Sequence, residues 1–478
     1  MEAAASSQLK VGRSGTGRAW WRWASGTLAL AAGAALRLGM FVHLFEANGD
    51  TLLYGGIAKN LLLHGVYGFE VGGRIVPTLI RLPGYPLFLA VCFKVFGMEN
   101  YAGAVWVQIP LELAGCLLLA DVARRMAPSA AKTMAAHATL WLAALCPFTG
   151  VYAAMPLTET PTLFVIALAL WAAVRFRESP GWGAALAFTV AVTYSALLRP
   201  DGALAAVALA PAIGAAVWQA RPGTERRRLV RIAAVCVLLA LAPFVAWTWR
   251  NWMAFHIVQP LAPRYANDPG DDPHLGWQRW MKTWNIDYVS TYAVYWNVPG
   301  DVLDLSALPA RAFDSSAQRA ETEALAEEYN RNGYKLTPAL DAGFARLAEE
   351  RIDAHPLRYY MWLPLGRVAD MWFRPRVENL NIDLDWWVYA HHNAETRFSW
   401  AYAALNAAYV LLGLIGLWLR PKLWPYLLAY FVLRSALLAT IEGPEARYTL
   451  ECFPMLFVLG GVALSTAASR MLRTTSGS

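Results

Sequence analysis

Charged residues are scarce in this sequence. Asp, Glu, Lys and Arg make up 16% of its 478 residues, against roughly 25% in soluble globular domains. By contrast, 57% of the residues are apolar and 22 are tryptophans, and the mean hydropathy is +0.34. This composition excludes a disordered chain and argues against a set of soluble domains. It is typical of a membrane protein.

Cysteine is also rare, and its pattern excludes the usual zinc and redox motifs. The cysteines are five in number, lie in apolar stretches and show no Cys-x-x-Cys spacing. We interpret all five as packing residues: Cys92, Cys116, Cys146, Cys236 and Cys452. The sequence also lacks nucleic-acid-binding motifs and the internal repeats that many transporters show.

Ten segments have the length and apolar character of bilayer-crossing helices, which need about 20 residues. They lie at approximately 21–45, 102–122, 130–150, 157–174, 181–198, 203–219, 229–249, 399–419, 423–441 and 447–467. Residues 83–97 are apolar but too short to cross, and residues 355–373 carry Arg358, Arg367 and Asp370. We predict that both lie in the membrane interface. The expected fold class is an all-α polytopic membrane protein with about ten transmembrane helices, within a range of ten to thirteen.

Lysine and arginine in the short connections predict the orientation, because they accumulate on the cytoplasmic side. The connections on one predicted face hold 18 of the 41 basic residues but only four of the 34 acids. Both termini are therefore predicted to be cytoplasmic. The basic residues of this face are Lys10, Arg13, Arg18, Arg22, Arg124, Arg125, Lys132, Arg175, Arg177, Arg221, Arg226, Arg227, Arg228, Arg231, Arg420, Lys422, Arg470 and Arg473.

This topology places two large segments on the outer side of the membrane. The first loop region covers residues 46–101, and the large loop region covers residues 250–398. We expect three modules: a transmembrane catalytic module of residues 1–249 that includes the first loop region, the large loop region with interfacial helices, and a C-terminal transmembrane module of residues 399–478. The outer segments are where chemistry outside the bilayer can occur.

Two carboxylates occupy predicted outer helix starts. Asp50 precedes a helix whose residues Leu53, Ile57 and Leu61 repeat every four positions. Its side chain either caps that helix or serves as a general base at the membrane boundary, and one residue can do both. Glu159 stands between the third and fourth spans, where a lone acid often simply faces water. Two carboxylates at one mouth suit the placement and deprotonation of a sugar or hydroxyl substrate.

Four arginines lie at the same predicted level: Arg81, Arg199, Arg250 and Arg447. Snorkelling to lipid headgroups is the ordinary explanation for such positions. Outer-face arginines are, however, less expected under the positive-inside rule, and guanidinium binds phosphate with bidentate geometry. A phosphate-bearing lipid fits this set. Arg37 and Arg434 lie inside predicted spans and need protein partners, which the sequence does not identify.

These residues form an ordered series of short motifs along nearly the whole chain. They are Asp50 with Tyr54, Ala58 and Asn60; His64-Gly65-Val66-Tyr67; Arg81-Leu82-Pro83-Gly84-Tyr85-Pro86-Leu87-Phe88; Phe96-Gly97; Thr158-Glu159; Leu198-Arg199-Pro200; Trp249-Arg250-Asn251; and Arg447-Tyr448 with Pro454. The series resembles GT-C glycosyltransferases. It is similar to the bacterial branch of the dolichyl-phosphate-mannose protein mannosyltransferase superfamily, which includes the lipid A aminoarabinose transferases. Each motif alone is weak, and the specificity lies in their order and spacing.

The resemblance implies an enzyme of the bacterial inner membrane that transfers a sugar from a polyprenyl-phosphate donor to an acceptor at the outer face. Asp50 would be the catalytic carboxylate and Glu159 would assist. The resemblance implies that Arg81 and Arg447 hold the lipid phosphate. We predict that Tyr448, Arg250 and Arg199 also bind it and that Tyr54, Tyr85 and His64 position the substrates. In this superfamily the protein mannosyltransferases carry an Asp-Glu pair, whereas Thr51 follows Asp50 here. The acceptor therefore need not be a protein hydroxyl, and glycolipids and glycans are alternatives.

The expected reaction is a single displacement with inversion at the anomeric carbon, in which Asp50 takes the acceptor proton and arginines neutralise the departing phosphate. Asp383-Leu384-Asp385 matches the Asp-x-Asp metal motif of nucleotide-sugar enzymes. Because nucleotide sugars are normally absent from the outer side, we predict no obligatory metal or other cofactor.

The large loop region also contains four closely spaced tryptophans, Trp277, Trp280, Trp284 and Trp296. We assign them to the membrane interface rather than to sugar stacking.

Two other functions remain open from the sequence. A transporter or flippase of a lipid-linked or anionic substrate would have polar residues near mid-membrane in corresponding halves of the chain, whereas the candidates here cluster at one face. An oligosaccharide ligase or polymerase would require a pyrophosphate-linked glycan donor. The expected partners are the lipid-linked sugar donor, the acceptor and membrane lipids, and no nucleic acid.

Overall fold

The computed structural model of the chain describes residues 14–388 and 393–475. Helices dominate it, joined by short 3₁₀ and π-helical turns. The helices are α1 (Ser14–Leu44), α2 (Asp50–His64), α3 (Gly84–Phe96), α4 (Tyr101–Met126), α5 (Lys132–Ala144), α6 (Pro147–Ala153), α7 (Glu159–Glu178), α8 (Trp182–Leu198), α9 (Leu204–Gln219), α10 (Thr224–Phe255), α11 (Leu275–Lys282), α12 (Tyr288–Ser290), α13 (Ser316–Arg331), α14 (Pro338–Ala354), α15 (Leu363–Phe373), α16 (Asn393–Trp418), α17 (Trp424–Leu438) and α18 (Phe453–Thr475).

The membrane-protein fold class is confirmed. In the described part of the chain, seven helices are long and apolar enough to cross a membrane, and α5 with α6 forms an eighth, bent candidate. These eight coincide with eight of the ten predicted spans. The other two predicted spans are α8 and α17, apolar helices of 17 and 15 residues, so the count of ten stays a prediction. Lys10 and Arg13 of the predicted cytoplasmic face lie outside the described residues.

Arg37 explains how one span can bend inside the membrane. The axes of α5 and α6 meet at 55° around Leu145 and Cys146, which leaves carbonyl groups at the end of α5 without helical partners. The Arg37 guanidinium on α1 donates to the carbonyl of Ala144 at 2.6 Å and forms an ion pair with Glu112 on α4. This buried arginine therefore ties together α1, α4 and the bend. Glu112 is the partner that the sequence analysis did not identify.

We expect Glu112→Ala to destabilise the protein severely. The variant leaves the Arg37 charge buried without its carboxylate, and breaking a buried pair in this way typically costs about 3–5 kcal/mol. The midpoint of thermal unfolding in detergent measures the effect. The double variant Arg37→Met with Glu112→Met removes both charges and should recover a substantial part of the loss. Equal stability of wild type and Glu112→Ala would contradict the assigned role.

A small β-hairpin in the first loop region is an addition to the all-α expectation. Strand β1 (Gly68–Val71) pairs antiparallel with β2 (Arg74–Pro77). The two turn residues, Gly72 and Gly73, have φ angles of 58° and 77°, which suit a type I′ turn and favour glycine. This Gly-Gly pair is the sequence signal for the hairpin. The hairpin leads directly into the segment that carries Arg81.

Helix α3 coincides with the predicted interfacial segment 83–97. Its 13 residues span about 20 Å, less than the ~30 Å of a hydrocarbon core. Gly84 is the first residue of this helix and lies in close contact with the end of α8. A larger residue would not fit there, because a Cβ at Gly84 would lie 2.6 Å from the Leu197 carbonyl oxygen. The Tyr194 hydroxyl also donates to the Gly84 carbonyl at 3.0 Å. These contacts bring the residues before α3 and after α8 to one cavity.

The large loop region has a hydrophobic core of its own, and this corrects the interpretation of the tryptophan run. Trp277, Trp280 and Trp284 are completely buried among residues of α11, α13 and α14, such as Phe344 on α14. They are core residues rather than interface anchors. Only Trp296 of the four is exposed, with 45% of its surface accessible.

The segment 355–373 consists of a π-helical turn (Arg358–Trp362) followed by α15. Arg367 is buried and donates to the carbonyls of Lys282 and Asn285. Large apolar side chains elsewhere on this segment are exposed, including Leu357, Tyr360, Trp362, Leu365 and Phe373. An exposed apolar face on a segment with a buried charge is typical of an interfacial helix, and the interfacial placement stays a prediction.

Candidate active site

A cavity of about 400 Å³ lies where the starts of α2 and α7, the end of α8 and the turn before α18 converge. Residues of the large loop region complete its wall. Six predicted site residues line this cavity: Asp50, Tyr54, Arg81, Arg199, Arg447 and Tyr448. Residues from four separate parts of the sequence therefore reach one site.

Asp50 is held between two arginines. Arg81 donates to the carboxylate Oδ1 at 2.9 Å, and Arg447 donates to Oδ2 at 3.3 Å. The N-cap residue of α2 is Gly49, and no side-chain capping bond forms there. Asp50 is thus the first residue of α2 rather than its N-cap residue. Both of its oxygens are committed to guanidinium groups instead.

Glu159 is buried at the first residue of α7, with 4% of its side chain exposed. Its Oε1 lies 3.3 Å from Arg199 Nη1 and 3.7 Å from Arg447 Nη1. The alternative that this acid simply faces water is therefore excluded. One planar guanidinium, that of Arg447, bridges Asp50 and Glu159, so the two carboxylates lie at most roughly 10 Å apart. They share one site.

Further charged residues extend this network beyond the predicted set. Asp201 lies 3.3 Å from Arg199 and 2.6 Å from Arg434, and Glu451 lies 3.2 Å and 3.0 Å from the same two arginines. Arg434 thus receives partners that the sequence did not identify. Glu445 pairs with Arg447 and accepts a hydrogen bond from the Tyr448 hydroxyl. The sequence contained one signal for these acids: they are ionisable residues at the start of an apolar span. Burying such a residue in a membrane costs free energy, so its presence there indicates a function.

The charged groups of the network nearly balance one another. The network contains four guanidinium groups and five carboxylates: Arg81, Arg199, Arg434 and Arg447 with Asp50, Glu159, Asp201, Glu445 and Glu451. Burial raises the pKa of Asp50, but Arg447 and Arg81 outweigh it, so the pKa lies below its usual value. Asp50 is therefore ionised at neutral pH.

Thr51 and Gln108 hold the two carboxylate-bearing loops together. The Thr51 hydroxyl donates to the Pro156 carbonyl at 3.1 Å, which joins the start of α2 to the loop before Glu159. Gln108 on α4 donates to the Met155 carbonyl at 2.6 Å and accepts from the Tyr85 hydroxyl at 2.8 Å. Tyr85 does not line the cavity, but its ring packs edge-on against that of Tyr54, which does.

We expect Thr51→Val to lower the activity that depends on Asp50 by about tenfold. The substitution keeps the side-chain shape but removes one hydrogen bond, and small displacements of catalytic groups have disproportionate effects on rate. Thr51→Ser keeps the hydroxyl and serves as the matched control. Turnover of both variants with the same substrates provides the measurement, and equal activity of the two would show that this bond does not position the site.

Two predicted site residues lie away from the cavity. Arg250 donates to the carbonyls of Tyr67 and Thr78 at the two ends of the hairpin, so it supports the first loop region instead of facing a phosphate. His64 is exposed at the last residue of α2, about 21 Å from Asp50 along the helix axis. Sequence spacing does not reveal where a side chain points.

The Asp383-Leu384-Asp385 motif does not line the cavity. Within residues 14–388 and 393–475, no group of three or more His, Cys, Asp or Glu side chains is arranged to hold a metal ion. The independence from metals and other cofactors stays a prediction.

The fold and this cavity define a helical membrane protein with a buried arginine–carboxylate site. A protein-family model described as dolichyl-phosphate-mannose-protein mannosyltransferase matches residues 78–247, which is 170 of the 478 residues. The matched segment contains Arg81, Glu159 and Arg199. Over this segment, the match agrees with the resemblance to the dolichyl-phosphate-mannose protein mannosyltransferase superfamily that the sequence motifs carry. A search of curated proteins finds no match to the chain.

Solved structures of two membrane proteins are similar over most of the chain. Oligosaccharyltransferase AglB from Archaeoglobus fulgidus, in complex with an inhibitory peptide and a dolichol-phosphate, has 12% identity and a TM-score of 0.48 over 96% of this chain and 52% of its own. ArnT from Cupriavidus metallidurans bound to undecaprenyl phosphate has 16% identity and a TM-score of 0.38 over 95% of this chain and 79% of its own. This chain thus spans about half the length of AglB. At these TM-scores the likeness carries no argument about activity.

Proposed function

We propose that this protein is a membrane glycosyltransferase that moves a sugar from a polyprenyl-phosphate donor to an acceptor hydroxyl or phosphate at the outer face of a bacterial inner membrane. The observation that carries the proposal is the bridge from Arg447 to both Asp50 and Glu159, with Arg81 on the other side of Asp50. A carboxylate beside two cations is the arrangement that a general base and a leaving phosphate would need.

The reaction is a balanced displacement at the anomeric carbon. An acceptor oxygen forms a bond to this carbon, and the bond from the carbon to the phosphate oxygen breaks with inversion. When the acceptor is a hydroxyl, its proton passes to Asp50. The polyprenyl phosphate departs with the electron pair, and Arg81 and Arg447 stabilise the added negative charge.

Asp50 must exchange partners before it can act as a base. In the structure both of its oxygens accept hydrogen bonds from arginines, and a carboxylate held in this way is a poor proton acceptor. The donor phosphate bears negative charge and suits the same guanidinium groups. Donor binding is therefore expected to draw Arg81 and Arg447 toward the phosphate and to free one Asp50 oxygen for the acceptor.

This exchange predicts two different pH dependences. The acidic limb of kcat/KM for the donor reports the free enzyme, in which burial raises the Asp50 pKa but Arg447 and Arg81 lower it further. The acidic limb of kcat/KM for the acceptor, measured at saturating donor, reports Asp50 beside a bound phosphate. We expect the second limb at higher pH. Coinciding limbs would argue against the exchange of partners.

Reconstitution tests the proposed activity. Proteoliposomes receive polyprenyl-phosphate sugars with different headgroups, and mass spectrometry follows the release of polyprenyl phosphate and the glycosylated acceptor. Envelope extracts of a deletion strain supply candidate acceptors. We expect transfer from at least one such donor. Movement of the intact lipid-linked sugar across the bilayer without bond cleavage would support a flippase instead, and transfer only from pyrophosphate-linked glycans would support a ligase.

A further inference from the structure

The cavity has a second end, which the sequence motifs do not touch. It is formed by the loop after α10, the π-helical turn after α12 and the turn between α17 and α18. We call this the loop end and define it by Arg264, Tyr295, Trp296 and Glu442, all of which line the cavity. It opens into the same space as Asp50 and Arg447, and nothing in the proposed transfer step uses it.

Positive charge exceeds negative charge at the loop end. Arg264 Nη2 donates to Glu442 Oε1 at 2.9 Å, and Lys282 Nζ lies 3.6 Å from the same oxygen. Arg367 lies behind them and donates to the Lys282 carbonyl, and it forms no ion pair with any carboxylate of the described residues. Its Nε is buried without a hydrogen-bond partner. Two cations, Arg264 and Lys282, therefore share the single acid Glu442, and Arg367 adds a third positive charge nearby.

The titration behaviour of these groups agrees with a positive local field. Burial lowers the pKa of Lys282, Glu442 opposes this effect, and Arg264 and Arg367 add to the lowering. Burial likewise lowers the pKa of Arg367 to about 10. The Asp50 end differs, because Arg81, Arg199 and Arg447 are each paired with at least one carboxylate of their own network. Within the cavity, a second anion would therefore find uncompensated positive charge at the loop end.

Two aromatic side chains, Tyr295 and Trp296, line the cavity together with Arg264 and Glu442. The exposed Trp296 contacts Tyr292 at 5.9 Å and Tyr288 at 5.6 Å between ring centroids. The Tyr295 hydroxyl donates to Gln278 at 2.8 Å, which fixes its ring in the cavity wall. Flat aromatic faces bury the apolar face of a pyranose, while neighbouring polar groups bind its hydroxyls. Of the four tryptophans discussed above, Trp296 is the one that is not buried in the core of the large loop region, so its ring can contact a ligand.

We propose that the loop end is a binding subsite for a pyranose that carries a negative charge, either a carboxylate or a phosphate. Arg264 binds the anionic group, Lys282 adds positive charge behind Glu442, and Trp296 stacks on the ring. Given the proposed function, this ligand is part of the acceptor, since the donor phosphate occupies the Asp50 end. The subsite thus selects anionic glycans or glycolipids as acceptors.

Binding of small probes tests the subsite without turnover. Full-length protein in neutral phosphatidylcholine nanodiscs is titrated calorimetrically with glucose 6-phosphate, glucuronic acid, glucose and inorganic phosphate. We expect both anionic sugars to bind at least tenfold more tightly than glucose. A preference for glucuronic acid or for glucose 6-phosphate identifies the anionic group. Equal affinities for glucose and both anionic sugars would overturn the proposal.

Variants locate the probe. Arg264→Gln with Lys282→Gln should weaken both anionic sugars at least tenfold, and Trp296→Ala should weaken the sugars but not inorganic phosphate. Glu442→Gln should strengthen anionic probes severalfold, a gain that mere loss of structure does not produce. Arg279→Gln is the matched control on α11, because Arg279 pairs with Glu349 at 2.8 Å away from the cavity. Thermal unfolding confirms that each variant is folded.

Competition separates the loop end from the Asp50 end. Saturating farnesyl phosphate, a short polyprenyl phosphate, should leave the anionic-sugar affinity unchanged. Displacement of the sugars by farnesyl phosphate would place both ligands at the Asp50 end and overturn the proposal. The two hypotheses fail separately: the binding pattern without transfer from any donor refutes only the glycosyltransferase, and transfer without the binding pattern refutes only the subsite.

Discussion

Replacing Asp50 with asparagine is expected to lower sugar transfer by about a thousandfold, within the range that a general base contributes. Asparagine keeps the size of the side chain but cannot take the acceptor proton. It also ends the charge attraction to Arg81 and Arg447, whose contacts with Asp50 are 2.9 Å and 3.3 Å. Transfer from a polyprenyl-phosphate sugar, measured with purified protein, gives the result.

Glu46→Gln is the matched control for this experiment. Glu46 lies four residues before Asp50, accepts a hydrogen bond from Asn48 and does not line the cavity. Its loss should leave transfer within about twofold of wild type, as is usual for surface substitutions away from a site. Full activity of folded Asp50→Asn would remove Asp50 from the role of base.

Replacing Arg447 with glutamine should have the second largest effect. Arg447 contacts Asp50, Glu159 and Glu445, so its removal leaves three carboxylates with less compensating charge. Loss of one group that stabilises a developing negative charge typically costs 10²–10³ in kcat, and we expect a fall of about this size. The donor KM should rise as well, because the same guanidinium binds the ground-state phosphate.

Two further variants serve as controls for Arg447→Gln. Arg447→Lys keeps the charge but cannot bridge two carboxylates with one planar group, so an intermediate loss is expected. Arg319→Gln removes an exposed arginine that pairs with Glu323 on α13, and it should change neither rate nor KM. Wild-type kinetics for folded Arg447→Gln would contradict the phosphate-binding role.

The sequence was most informative about residues at helix ends. Asp50, Glu159, Arg81, Arg199 and Arg447 were predicted to lie on one membrane face because the distribution of basic loops fixes the parity of the spans. Four of these five residues line the cavity. The fifth, Glu159, does not line it but contacts Arg199 and Arg447, which do. Chemical type and predicted depth were sufficient for this part of the site.

Long-range pairing was not predictable in the same way. Arg434 and Asp201 are 233 residues apart in sequence but 2.6 Å apart in space, and nothing in local spacing specifies such a contact. Arg250 shows the converse limit, because an arginine at a predicted outer helix end turned toward backbone carbonyls. Side-chain direction depends on how the first loop region packs, which a motif does not encode.

The ends of the predicted spans were also difficult to place from the sequence. Predicted span 181–198 ends with α8 at Leu198, whereas predicted span 423–441 extends beyond α17, which ends at Leu438. The residues that follow these helices, Arg199 and Thr440 to Gly443, line the cavity. Hydropathy alone does not register such helix ends. The tryptophan run had a comparable ambiguity, because burial in a core and contact with a membrane interface favour the same residue type.

A structure of the protein with a bound polyprenyl phosphate tests the central claim most directly. Our account predicts the phosphate within hydrogen-bond distance, about 3 Å, of Arg81 and Arg447, with at least one Asp50 oxygen released from its arginine and turned toward the space beside the phosphate. A phosphate bound elsewhere, with Asp50 still held by both arginines, would contradict it.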